Sequence, residues 1–128
     1  MAEARVGYIT LEIDGHEVLV GRSARDNDEL TFRVARQNDL WLHAAGHAGS
    51  HVVIRLPDDR VAPKDVIERA AAHAAFHSKA RNARGKVDVH VCRAADVRKP
   101  SGAPAGTVQL RRYETVRVYP RAAGAAPS

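Results

Sequence analysis

Apolar and polar side chains alternate along residues 6–13 and again along 17–20, with Asp14-Gly15 between the two runs. Alternation puts one set of side chains on each face of a strand, and Asp-Gly suits the positive backbone dihedrals of a tight turn, so the chain is expected to open with a β-hairpin. The alternation stops after Gly21-Arg22-Ser23. Asp26 followed three residues on by Glu29 predicts a capping box, and Leu30, Phe32 and Val34 supply the apolar contacts of a helix ending near Asn38. Residues 40–44 and 51–56 read as two further strands, joined through Gly46 and Gly49.

Pro63 suits the first position of a second helix, and residues 64–81 place Val66, Ile67, Ala70, Ala71, Ala74 and Ala75 on a broad face of small side chains. Such a face lets a helix axis lie close to a sheet. Residues 87–92 alternate cleanly, 99–106 form a loop rich in Pro, Gly and Ala, and 108–118 read as one long strand or a hairpin broken near Tyr113-Glu114. The predicted fold is α+β: a mainly antiparallel or mixed sheet of about six strands with two packed helices, in the order β-β-α-β-β-α-β-β. Residues 1–120 are expected to form a single domain and 121–128 a disordered tail.

Composition narrows the class. A chain of 128 residues fits one compact domain. Its lone cysteine, Cys92, excludes an intramolecular disulfide framework and sits in the alternating run as a strand residue facing the core, which points to a reducing compartment. No run reaches the ~18 apolar residues of a membrane span, and the first residues lack a basic stretch followed by an apolar one. A cytoplasmic location is therefore expected. The net charge is +5 with a pI near 9.9, and the excess concentrates in the C-terminal half. There Lys79, Arg81, Arg84, Lys86, Arg93, Arg98 and Lys99 face only Asp88 and Asp96. This balance favours a polyanionic partner.

Candidate chemistry gathers between Asp39 and Arg55, which hold the only tryptophan and three of the seven histidines. His43, His47 and His51 stand four apart, a spacing that would stack them on one helical face as metal ligands. Gly46, Gly49 and the β-branched Val52, Val53 and Ile54 deny that helix, so no metal set is expected. Gly49-Ser50-His51 fits an anion better: glycine lets backbone amides approach a phosphate while a hydroxyl and an imidazole donate to it. Taken alone, the same turn reads more readily as an ordinary serine-capped connection. A hydrolytic pairing of Ser50 with His51 is disfavoured because neighbours on a strand point to opposite faces and no acid is placed to orient the histidine. The Ser78-Lys79-Ala80-Arg81 segment at the end of the second helix is expected to be the partner surface of this turn. Arg22, Arg25 and Asn27 form a third polar cluster, its charge offset by Asp26, Asp28 and Glu29. His73 and His77, four apart on the second helix, read as a polar helix face.

In order along the chain, Gly21-Arg22, Asn27-Asp28-x-Leu30-Thr31, Asp39-Leu40-Trp41-Leu42-His43, Gly49-Ser50-His51-Val52-Val53, Ala70-Ala71, Ala74-Ala75 with Ser78-Lys79-Ala80-Arg81, and Val97-x-Lys99-Pro100 resemble the NFACT-R domain. That is the predicted RNA-binding domain of NFACT proteins, which act in ribosome-associated quality control and bind the obstructed large subunit with tRNA. The likeness spans about residues 7–118. Where the family commonly has Gln-Asn-Asp this chain has Asp26-Asn27-Asp28, which would remove or invert an amide contact. The N-terminal domain, helix-hairpin-helix region and coiled coil of the complete family architecture do not appear, so a stand-alone version is expected and elongation of nascent chains is not carried over.

The resemblance implies a non-enzymatic RNA-binding module for structured RNA, tRNA or ribosomal RNA, with the large ribosomal subunit as a further partner and no cofactor. The candidate contacts are Arg22, Arg25, Asn27, Asp28, His43, Ser50, His51, Arg55, Ser78, Lys79, Arg81 and Lys99. Two other readings stay open: an RNA-modifying or RNA-hydrolysing enzyme using His43, Ser50 and His51, and a protein-interaction adaptor that docks on ribosomes through hairpin edges. Trp41 and His43 lie on one face of their strand, and a buried Trp41 is favoured over one that stacks a base.

Overall fold

The computed structural model describes residues 8–121. The first two residues of the predicted opening strand and residues 122–128 of the predicted tail lie outside that range. Strands β1 (Tyr8–Ile13) and β2 (His16–Gly21) form the expected hairpin, with positive φ at both Asp14 and Gly15. β3 (Leu40–Ala44), β4 (Val52–Ile54), β5 (Val87–Arg93) and β8 (Glu114–Val118) complete an antiparallel sheet in the order β1-β2-β4-β3-β5-β8. The run 108–118, read as one strand or one hairpin, is divided. Its first part, β7 (Gln109–Leu110), pairs with β6 (Val97–Arg98) apart from the main sheet, and the ion pair of Arg111 with Asp96 and the bond from Arg111 N to Asp96 O hold it there.

Period-two patterning gives the sheet two buried faces. On one, Val18, Val20, Leu42, Val52, Ile54 and Val89 pack against α2 (Lys64–Phe76), whose Val66, Ala70, Ala71, Ala74 and Ala75 are buried. On the other, Leu19, Val53, Trp41 and Cys92 form a continuous row capped by Leu30 and Val97. Leu30 follows α1 (Ala24–Glu29), so the sheet is sandwiched between α2 and a thinner layer built from α1, β6 and β7. The inner strands β3 and β4 and the second half of β2 carry buried apolar side chains on both faces because each face meets a layer, whereas β1 turns Thr10 and Glu12 outward at the edge.

Both predicted helices differ from expectation at their ends, for identifiable reasons. The N-cap of α1 is Ser23, whose Oγ accepts from the Asp26 backbone N–H at 3.1 Å; Asp26 itself lies in the first turn. The serine sits in extended geometry (φ −153°) and so satisfies the orphan amide earlier than the Asp26–Glu29 pairing suggested. The helix then widens to a π turn over Leu30–Val34 and stops there, short of Asn38. Asp39 explains the stop. Its carboxylate accepts from the backbone N–H groups of Arg36 and Leu56 and pairs with Arg55 at 3.0 Å, so residues 36–39 are turned toward β4.

The second departure shapes the candidate site. α2 ends at Phe76 rather than continuing to Arg81, because residues 77–79 leave the helix to pair with residues 48–50. Ser50 N–H donates to His77 O at 2.9 Å and Lys79 N–H to Ala48 O at 2.8 Å. The two backbones approach so closely that a Cβ on Gly49 would fall 2.5 Å from Ser78 Cβ and 2.7 Å from its Cα. Gly49→Ala is therefore expected to lower unfolding free energy by about 1–3 kcal/mol in urea titrations, the cost of overpacking a rigid contact. Gly85→Ala, where an added Cβ meets nothing within 4 Å, should stay within about 0.5 kcal/mol of the parent. Equal effects of the two substitutions would contradict the close approach.

Candidate functional site

The Gly-Ser-His turn is held from three sides. The Asn27 side chain donates from Nδ2 to Gly49 O at 3.1 Å and accepts at Oδ1 from His51 N–H at 3.0 Å, so its amide replaces a neighbouring strand for the backbone entering β4. Ser50 Oγ donates a short hydrogen bond to Gly21 O, and Gly21 N–H donates to His51 O at 2.9 Å. The third side is the 77–79 segment. There Ser78 Oγ donates to Ala75 O at 2.7 Å and accepts from Ala80 N–H at 3.0 Å. The turn and the end of α2, expected to be partner surfaces, are thus joined by main-chain pairing. The Ser50 hydroxyl proton, expected to face an anion, is directed inside the protein, and so is that of Ser78.

His51 is likewise internal. It is 1% exposed, and its Nδ1 lies 2.8 Å from Thr31 Oγ1, which also accepts from Trp41 Nε1–H at 3.0 Å. With Trp41 as donor, the Thr31 proton is available to His51 Nδ1, an arrangement that suits a neutral imidazole with its proton on Nε2. Burial, then the neighbouring His43, hold its pKa down to about 3 against the opposing pull of the Asp28 carboxylate. His43 stacks at 5.9 Å on Trp41 and meets His51 edge-on at 5.3 Å. Burial, then the charges of His90 and His47, lower its pKa to about 4. Neither imidazole is a cation near neutral pH. The fourfold spacing of His43, His47 and His51 lands them on β3, in the following turn and at the entry to β4, away from any shared helical face.

What opens beside this frame is a groove of about 860 Å³ between the Gly21–Ala24 segment, the Gly49-Ser50 turn and residues 77–81, with Ala105, Gly106 and Thr107 along its rim. It collects Arg22, Asn27, His43, Ser50, Ser78, Lys79 and Arg81 from the candidates. Its permanent charges are Arg22, Lys79 and Arg81, and among the described residues no carboxylate lines it. Arg81 lies over the Phe76 ring at 4.3 Å, which holds the guanidinium across the end of α2. A second depression of about 530 Å³ shares Lys79 and adds Lys86 and Arg117, the latter paired with Asp88 at 3.2 Å.

The remaining candidates lie elsewhere or serve other contacts. Lys99 Nζ contacts Asp28 at 2.9 Å, Pro104 O at 2.5 Å and Thr107 O at 3.1 Å, which engages all three ammonium protons. Asp28 also accepts from Gly106 N–H at 2.9 Å. Together they pin the 99–107 loop to α1 and so place the rim of the groove. Arg25 lies beside Asp28 and Lys99 on the outer side of α1, and Arg55 is committed to Asp39. Sequence reasoning missed Thr31 as the group that satisfies both Trp41 and His51. The signal was a polar residue one helical turn after Asn27, on the face that carries Leu30 and Val34. Lys86 was counted only within the basic excess, since it lies outside every motif.

The chain is similar in sequence and in fold to known proteins. The model of the NFACT protein RNA binding domain matches residues 6–112. The Rqc2 homolog RqcH of Streptococcus suis is 42% identical over 112 residues, which cover 86% of this chain and 20% of that protein. The Rqc2 homolog RqcH of Bacillus subtilis is 42% identical over 110 residues, covering 84% of this chain and 18% of its own. The chain therefore spans about a fifth of the length of these curated relatives. Among solved structures, the C-terminal part of the fibronectin/fibrinogen-binding protein from Streptococcus suis aligns with a TM-score of 0.83 at 39% identity, over 91% of this chain and 46% of that one.

The buried imidazoles give stability a defined pH dependence. The folded pKa values of His43 and His51 lie below the 6.5 of the free side chain, so acidification protonates the unfolded chain first. Stability is expected to be full above about pH 6.5. It should fall as pH drops toward 4, with a slope of up to about 1.4 kcal/mol per pH unit for each histidine. Urea midpoints measured between pH 7 and 4.5 check this, and a flat profile over that range would refute the buried neutral state.

Proposed function

Because this chain belongs to the family of NFACT protein RNA-binding domains, we propose that it binds structured RNA, tRNA or ribosomal RNA, through phosphate and shape contacts along the groove between the Gly49-Ser50 turn and residues 77–81. The supporting observation is electrostatic. Arg22, Lys79 and Arg81 converge on one concave surface whose described lining holds no carboxylate, and the neighbouring depression continues the charge through Lys86. A concave cationic track favours a polyanion whose charges recur along a backbone, because each neutralised phosphate releases condensed counterions. Arg22 and Arg81 suit bidentate contact with phosphate oxygens, while Lys79 acts as a mobile point charge.

The site residues do two kinds of work. Arg22, Lys79 and Arg81 contact RNA. Asn27, Asp28, Ser50, His51, Ser78 and Lys99 hold the groove in shape through the hydrogen bonds that join the turn, α1, the end of α2 and the 99–107 loop. The module acts within ribosome-associated quality control, at the large ribosomal subunit, and does not itself elongate nascent chains. It is not an enzyme on this reading: Ser50 Oγ donates to Gly21 O and His51 Nδ1 faces Thr31, so no proton relay joins the two side chains.

Charge reversal tests the groove. Lys79→Glu with Arg81→Glu is expected to weaken binding to structured RNA across sequences. The slope of log affinity against log salt should become shallower by roughly 0.7–0.9 for each phosphate that is no longer neutralised. Anisotropy titrations at several salt concentrations read both quantities. Affinity and slope that match the parent protein would overturn the assignment.

A further inference from the structure

The sheet face that carries Trp41 extends past its own cover. Leu19, Val53, Trp41 and Cys92 lie under Leu30 and Val97, but the next row along the strands is His43, His90 and Thr115, placed directly opposite one another on β3, β5 and β8. His43 and His90 are half-buried and Thr115 is exposed. Tyr113, 51% exposed, lies against His90 with ring centroids 4.1 Å apart. The His90 and Tyr113 rings are thus in contact at the surface, and His43, whose inner side stacks on Trp41, lies opposite His90 across the β3–β5 pair. They have one neighbour of definite character: His43 also lines the cationic groove, while Asp88 and Arg117, two residues along β5 and β8 on the same face, line the depression that shares Lys79 with it.

We propose that His43, His90 and Tyr113 form a stacking platform for an unpaired base of the RNA whose phosphates run along the Arg22–Lys79–Arg81 groove. The platform rests on the groove reading and names what the RNA must offer there: a splayed nucleobase from a loop, bulge or single strand. Bases within a duplex present only their edges in the grooves, whereas a loop base exposes its π-face to an aromatic surface. The occupant follows from continuity. A charged groove that tracks a single-stranded backbone leaves successive bases free to stack on rings beside it, and His43 both lines the groove and belongs to the next row. His43 is suited to this contact because, uncharged near pH 7, it stacks without stripping water from a cation.

The test compares an RNA hairpin carrying 2-aminopurine in its loop with a duplex of the same stem sequence. The proteins are the full chain, Tyr113→Ala, Tyr113→Phe, and the Lys79→Glu/Arg81→Glu variant. Tyr113→Ala is expected to weaken hairpin binding about tenfold, to abolish quenching of the loop fluorophore, and to leave duplex affinity and melting temperature unchanged. Tyr113→Phe should retain both affinity and quenching. Hairpin affinity unchanged in Tyr113→Ala, or reduced equally for hairpin and duplex, overturns the platform. If the charge variant still weakens binding in that case, the groove stands and the platform alone fails; if neither variant affects binding, both fail.

Discussion

The pairing of residues 48–50 with residues 77–79 is the contact on which the rest of the site depends. It needs a position without a Cβ, because Gly49 Cα approaches the Ser78 backbone more closely than any side chain allows. It also needs a helix that ends early, because His77 O and Lys79 N–H can serve the approach to β4 only once they have left the helical ladder. From that junction follow the direction in which Lys79 and Arg81 leave α2 and the side of the sheet on which their charge collects. The cations owe their placement to main-chain geometry, with Phe76 beneath Arg81 as a side-chain support at the helix end.

Around that junction the protein satisfies its buried polar atoms almost entirely from within. Asn27 serves both a carbonyl and an amide of the incoming strand, and Thr31 serves both Trp41 and His51. An unpaired amide or indole N–H in this interior would cost about 1–3 kcal/mol, so these groups specify one arrangement of α1 against the sheet. The same burial neutralises His43 and His51. Positive potential in the groove therefore comes from arginine and lysine, whose charge does not change near neutral pH, while the histidines contribute shape and a proton inventory that acid alone disturbs.

Much of the fold could be read from the sequence because its signals were local. Asp14-Gly15 set a hairpin, the alternation of residues 87–92 set β5, and the alanine face set α2. The errors fell where a distant group decided a local outcome. α1 stops at the π turn because Asp39 captures the Arg36 amide, and α2 stops at Phe76 because Ala48 and Ser50 compete for the carbonyl and amide that follow it. In the site, the joining of the Gly-Ser-His turn to Ser78–Arg81 was legible, but the use of the glycine and serine was not. Gly49 and Ser50 have the composition of a phosphate cradle, and only the third dimension shows that Gly49 admits the close approach of Ser78 and that the Ser50 hydroxyl bonds Gly21 O. Lys99 carries the same ambiguity: a lysine in a basic stretch, it is consumed by Asp28 and two loop carbonyls.

The sandwich of unequal layers ties these features to a binding surface. α2 spans 13 residues and packs on its face of the sheet from β1 to β8, so that face is core except at its corners, where Ile9 and Glu114 are exposed. The opposite layer is short: α1 with its π turn and the two-residue strands β6 and β7 cover the Leu19–Cys92 row and little beyond it. A layer of that size must be anchored from its flanks, and it is, by Asn27 and Thr31 on one side and by the Lys99–Asp28 contact on the other. Where it ends, the strands still carry ring side chains, and the groove begins at the same boundary. The proposed recognition surface lies at the margin of the less covered face of the sheet, which borders the cations that the turn and helix end bring together.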